Sequence, residues 1–147
     1  MESANRIRLV IESRFENIFL IGGAVRGIAA TLAFDETICY HLELCVVEAV
    51  NNTLKHAYDC EPGHSVEVEI LIHQDRIIFK IRDTGKSMHA GKVEPLQFEP
   101  GNVESVPERG MGRFIMDALM DEVSYETVNG RNILSMTKFL KREEQSS

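Results

Sequence analysis

Ile7, Leu9 and Ile11 alternate with Arg6, Arg8 and Glu12 near the start of the chain. A period of two is that of a strand with one buried face, and it ends near Ser13. Residues 15–34 read as a helix interrupted by Gly22, Gly23 and Gly27. Glycine weakens a helix, so close helix packing is one reason to find it there. Asp35 can cap the next helix, predicted over residues 36–58, and Glu36 lies in its first turn. After "DCEPG", Val66, Val68 and Ile70 alternate with Glu67, Glu69 and Leu71. After "HQDR", Ile77, Phe79 and Ile81 alternate with Ile78, Lys80 and Arg82, and the two runs predict a hairpin that ends at "RDTGKS".

Between residues 85 and 112 the periodicity fades, and half of the ten glycines and three of the four prolines fall here. A loop of that length inside a compact domain is usually functional or mobile. Residues 111–122 predict a helix with Phe114, Ile115, Leu119 and Met120 as core positions. "EVSYETV", a turn at Asn129-Gly130 and "NILSMTKFL" predict a last hairpin. The polar tail over residues 141–147 reads as frayed. Strands and helices segregate, without an internal repeat or linker. The expected fold is therefore one α+β domain over residues 1–147: a two-layer sandwich with a mixed, mostly antiparallel sheet and helices on one face.

A length of 147 residues suffices for one real core. The net charge of −7 disfavours a nucleic-acid backbone as partner. Cys39, Cys45 and Cys60 have no metal-like spacing and read as buried reduced thiols, and the five histidines are scattered. The N-terminus lacks an apolar stretch of signal-peptide length. Arg26 interrupts "FLIGGAVRGIAATLAF", which is too short to span a bilayer. These features lead to the expectation of a cytoplasmic protein with no membrane contact.

Three short motifs carry candidate chemistry. Glu48 and Asn52, four apart, project from one face of the second helix, with Lys55 near the same line and His56 one turn beyond Asn52. An amide oxygen beside a carboxylate suits a hard cation such as magnesium, and the carboxylate could accept a hydroxyl proton. A polar stripe on the helix surface would have the same spacing. Asp83 stands where a strand ends, able to accept a hydrogen bond from an exocyclic amine, and Gly85 would let a ring approach the backbone. A plain turn would also use D-x-G. In "ERGMGRF", Gly110 and Gly112 bracket Met111 just before the third predicted helix, where backbone amides attract phosphate, and Arg109 and Arg113 add positive charge. Neither the G-x-x-x-x-G-K-[ST] loop nor a Rossmann fingerprint is present.

In this order, E-x-x-x-N, D-x-G and G-x-G resemble the three boxes of the gyrase/histidine-kinase (GHKL, Bergerat-type) ATP-binding domain, from about residue 35 to 140. "VEAVNNTLKHAY", "IRDTGKSM" and "ERGMGRFIMDALMDEVSY" resemble more closely the small serine kinases that act as bacterial anti-sigma factors. The resemblance implies Glu48 as general base, Asn52 as the magnesium ligand, and Asp83 with Gly85 at adenine. It implies phosphate contacts at Arg109, Gly110, Met111 and Gly112, and an ATP lid over residues 86–109. It also implies ATP and Mg2+ as cofactors, a STAS-type anti-anti-sigma protein as substrate, a sigma factor as second partner, and a homodimer. The alternatives are an ATP-binding switch without catalysis and a histidine-kinase catalytic fragment.

Overall fold

The computed structural model describes residues 5–32, 34–87 and 108–140, with the side chains of residues 108–113 left out of the description. The chain runs through β1 (Asn5–Glu12), α1 (Phe15–Thr31), α2 (Glu36–Asn52), a π-helical turn (Thr53–Ala57), β2 (Ser65–Ile72), β3 (Arg76–Asp83), α3 (Glu108–Leu119), β4 (Glu122–Val128) and β5 (Arg131–Phe139). The five strands form one sheet in the order β1-β2-β3-β5-β4. All four pairings are antiparallel, so the parallel component of a mixed sheet is not found among the described strands.

The period-two pattern builds this sheet directly. Ile7 lies opposite Ile70, Ile70 opposite Phe79, Phe79 opposite Met136, and Met136 opposite Val123. The next row joins Leu9, Val68, Ile81, Leu134 and Tyr125 in the same way. These rows face the helices, and Val68, Ile70, Ile77, Phe79, Ile81 and Met136 are almost wholly buried. From the helices, Val25, Leu42, Cys45, Val46, Val50 and Met116 close over them. Each such burial contributes roughly 1.5–3 kcal/mol.

The opposite face carries charge. Glu69 is buried there, accepting hydrogen bonds from Arg8 Nε at 3.2 Å and Arg82 Nη1 at 3.0 Å, with Arg6 Nε at 3.3 Å. Burial pushes the Glu69 carboxyl up, but hydrogen bonds and charge from these arginines outweigh it, and the group titrates below its ordinary value.

The elements differ from expectation at three places. α1 ends at Thr31 rather than at residue 34. The helix expected over residues 36–58 is α-helical only to Asn52 and then widens into the π turn, while Asp35 caps it as expected by accepting from Ile38 N at 2.8 Å. α3 starts at Glu108, so Gly110 and Gly112 lie in its first turns rather than before it, and it ends at Leu119. Its phase is set by Met116 and Met120, which are buried, whereas Phe114, expected in the core, is exposed. Most of the expected lid, residues 88–107, and the expected frayed tail lie outside the described residues; Glu108 and Arg109 belong to α3 rather than to the lid.

α1 packs along α2, and the three glycines divide by what they face. A Cβ on Gly22 would come within 3.0 Å of Val47 Cγ2, so this glycine permits the close approach, and Arg26 pairs with Glu43 at 3.2 Å on the same flank. Gly23 and Gly27 face open space. Replacing an unneeded glycine in a helix by alanine should stabilise by about 0.5–1 kcal/mol. Urea denaturation is expected to show that gain for Gly23→Ala and Gly27→Ala, and none for Gly22→Ala.

Candidate functional site

The C-terminal half of α2 turns Val46, Ala49 and Val50 into the core, which leaves Glu48, Asn51 and Asn52 half-buried on the other side. Glu48 and Asn52 both lie in the α-helical part, so their spacing of four keeps them one above the other. Glu48 is also close enough to raise the Cys45 thiol, which burial first and this charge second push up to about 11 against the opposing charge of Lys138. Cys45 and Cys39 are inert buried thiols, while Cys60, expected to be buried as well, is exposed.

Beyond Asn52 the regular spacing fails. Thr53 is buried, and its hydroxyl donates back to Ala49 O at 3.1 Å. The next turn is π-helical, closed by Tyr58 N to Thr53 O at 3.3 Å. Such turns displace the residues that follow and often mark functional sites. The placement of Lys55 and His56 by α-helical counting from Asn52 therefore does not hold. The chain then leaves the helix through Asp59 and Cys60, both with left-handed backbone at φ 50° and 63°. Cys60 N bonds to Leu54 O at 2.7 Å to close that exit.

The D-x-G turn is fastened to this helix end. A Cβ on Gly85 would overlap the carbonyl group of Ala57, so no other residue fits at this contact. Glycine was expected there for the approach of a ring; in the fold it admits the helix terminus. Lys86 N donates to Ala57 O at 3.0 Å, and Lys86 Nζ reaches Asp59 Oδ2 at 2.8 Å on the surface. Thr84 N donates to the Tyr58 hydroxyl at 3.0 Å, which itself donates to Ser65 O at 2.7 Å. The Tyr58 ring stacks on His64 with centroids 4.4 Å apart.

Asp83 ends β3 and is buried. Its Oδ1 accepts from Gly85 N at 2.9 Å and from Asn132 Nδ2 at 2.7 Å. Burial pushes this carboxyl above its ordinary value, and those two hydrogen bonds only partly oppose the shift. Asn132, on β5 directly opposite Asp83, is almost wholly buried and was not foreseen. The available signal was its place in "NILSM": a polar amide in phase with the inward-facing Leu134 and Met136. Tyr58 ties the D-x-G turn to the start of β2 through its hydroxyl.

The structure thus joins the first two motifs. The third lies in the first turns of α3, which packs on α2; the side chains of Arg109, Met111 and Arg113 lie outside the described residues. Amides that open a helix lack intrahelical acceptors and favour anions.

A family described as the histidine kinase-like ATPase domain matches residues 11–138. The chain belongs to that family. Within it, the chain is 31% identical to the serine-protein kinase RsbW of Bacillus pumilus (strain SAFR-032), over 97% of this chain and 90% of the relative. It is 29% identical to the RsbW kinase of Listeria monocytogenes serotype 4a (strain HCC23), over 95% and 90%. It is 27% identical to that of Bacillus mycoides (strain KBAB4), over 98% and 91%. The sheet with helices on one face is the fold that the histidine kinase-like ATPase resemblance implied. Among the described residues, no helix is long and apolar enough to cross a membrane.

A carboxyl with a raised folded-state value binds its proton more readily folded than unfolded, so ionisation of Asp83 opposes folding. Its contribution is unfavourable above the folded value and vanishes as pH falls below the unfolded one. Asp83→Asn should therefore melt higher than the native chain at neutral pH. The difference should close as pH is lowered toward the ordinary carboxylate range, which thermal scans across pH would show. Gly85→Ala should lose about 1–3 kcal/mol by overpacking against Ala57, measurable in the same scans.

Proposed function

We propose that the chain is an ATP-dependent serine-protein kinase that acts as an anti-sigma factor. It would phosphorylate a STAS-type anti-anti-sigma protein and sequester a sigma factor in a partner switch, in the cytoplasm. The observation that carries this reading is the joint described above: Glu48 and Asn52 share one face of α2, and the turn holding Asp83 is tied to the end of the same helix. The RsbW relatives, named as serine-protein kinases, support it.

Asp83 would accept the exocyclic amine of adenine. The backbone that opens α3, with Arg109, Gly110, Met111 and Gly112, would hold the phosphates. A half-buried amide oxygen one turn from a carboxylate fits a hard cation that keeps most of its waters, so Asn52 would hold Mg2+, which when bound neutralises phosphate charge. The serine hydroxyl oxygen of the partner protein attacks the γ-phosphorus in line. The bond from that phosphorus to the β–γ bridging oxygen breaks, and ADP leaves. Glu48 accepts the hydroxyl proton. The nucleophile belongs to the partner, so no serine or cysteine of this chain has to serve.

Val10 on the edge strand β1, and Phe15, Phe19 and Leu20 on α1, are exposed; Phe19 keeps 80% of its accessible surface. We place the homodimer or partner contact on the exposed apolar face of α1; Val10, in phase with Arg8, faces the other side of the sheet.

Transfer of radiolabelled phosphate from ATP to STAS proteins of the same genome tests the reading. Glu48→Ala should lower transfer by about 10²-fold or more, the range typical of a lost general base, with ATP affinity unchanged. Unchanged transfer rejects Glu48 as the base. ATP binding without any transfer by the native chain favours the non-catalytic switch.

A further inference from the structure

We infer that Asn132 is a positioning residue that fixes which oxygen of Asp83 meets a bound base, and through it sets the preference for an amino-purine nucleotide over an oxo-purine one. The inference rests on the nucleotide reading of this site.

Asp83, Asn132 and Thr127 form one row across β3, β5 and β4, side by side in the sheet register. The row faces the helix layer at the end of the sheet where the D-x-G turn lies. Asn132 Nδ2 donates to Asp83 Oδ1 at 2.7 Å, to Gly85 O at 3.0 Å, and more weakly to Lys86 O at 3.3 Å. Three acceptors converge on this one nitrogen. A flipped amide would set its oxygen against all three, so the orientation is determined by its surroundings. Thr127 secures it from the other end by donating its hydroxyl proton to Asn132 Oδ1 at 2.8 Å. With that proton used, the Ser87 hydroxyl, 2.8 Å from Thr127 Oγ1, must be the donor in their contact.

The consequence lies in the Asp83 carboxylate. Its terminal torsion is broad and two-fold by nature. Both hydrogen bonds described for Asp83, from Gly85 and from Asn132, land on Oδ1. Oδ2 is therefore the oxygen presented to a ligand donor. An amine on the base can donate to it; a carbonyl at the same place would repel it. Asn132 also holds the carbonyls of Gly85 and Lys86 from the β5 side, while Ala57 and Tyr58 hold the turn from the α2 side.

Calorimetric titration of the full chain with ATP and with GTP, both with magnesium, separates positioning from simple support. Loss of a hydrogen bond to a charged group should weaken ATP binding about tenfold or more in Asn132→Ala, and change GTP binding far less, because GTP does not use the Oδ2 contact. Equal loss for both nucleotides, or no loss, overturns the inference. Should Asn132→Ala not fold, Thr127→Val on the exposed edge strand takes its place. That variant removes the donor that holds the amide, together with the acceptor of the surface Ser87 contact, and leaves the Asn132 side chain in place; an ATP:GTP ratio equal to the native one overturns the inference there too. Asp83→Asn is the control. If the native chain shows no ATP preference, or Asp83→Asn keeps it, the nucleotide reading itself fails; if Asp83→Asn loses it and Asn132→Ala does not, only the role of Asn132 falls.

Discussion

The contact between Gly85 and the carbonyl of Ala57 is the constraint on which the site depends. It brings the end of β3 against the end of α2, two segments separated by a hairpin in sequence. Other features of the region adapt to it. The π turn positions Ala57 and Tyr58, the left-handed Asp59 and Cys60 carry the chain away at once, and the Tyr58 hydroxyl bridges Thr84 to Ser65. A left-handed non-glycine residue costs of order 1–3 kcal/mol, so two in succession imply that the surrounding ties outweigh that strain.

The site also carries an electrostatic burden that a purely structural turn would avoid. Asp83 is a carboxylate in a buried place, held by one backbone amide and one side-chain amide, with no cation among its described partners. Glu69, equally buried, is surrounded by Arg6, Arg8 and Arg82, and its titration shifts the other way. The contrast separates two uses of a buried acid. Glu69 is a charge neutralised within the protein and stabilises the sheet. Asp83 has both of its described hydrogen bonds on Oδ1 and its charge is offset by amides alone, the kind of perturbed buried acid that is a candidate binding group.

Most of the fold was legible because its elements obey simple periods. The alternation of Ile7, Leu9 and Ile11, of Val66, Val68 and Ile70, and of Ile77, Phe79 and Ile81 placed three strands, and Asn129-Gly130 placed the last hairpin with both residues left-handed as that turn requires. The face shared by Glu48 and Asn52 was legible from spacing alone. What escaped depends on tertiary contact. No local pattern in "TLKHA" announces a π turn. The start of α3 was set three residues late because glycine argues against helix locally. Asn132 was hidden because one inward-facing amide within an apolar strand acquires meaning only when Asp83 is seen beside it.

α2 is the element shared by everything the protein is proposed to do. One flank carries Glu48 and Asn52; its end carries the D-x-G turn; its other flank takes α1 through Gly22 against Val47 and Arg26 against Glu43. The exposed apolar residues of α1 therefore lie one close-packed helix away from the nucleotide motifs. Close packing transmits displacement poorly as gradual bending and better as a rigid shift of the whole helix.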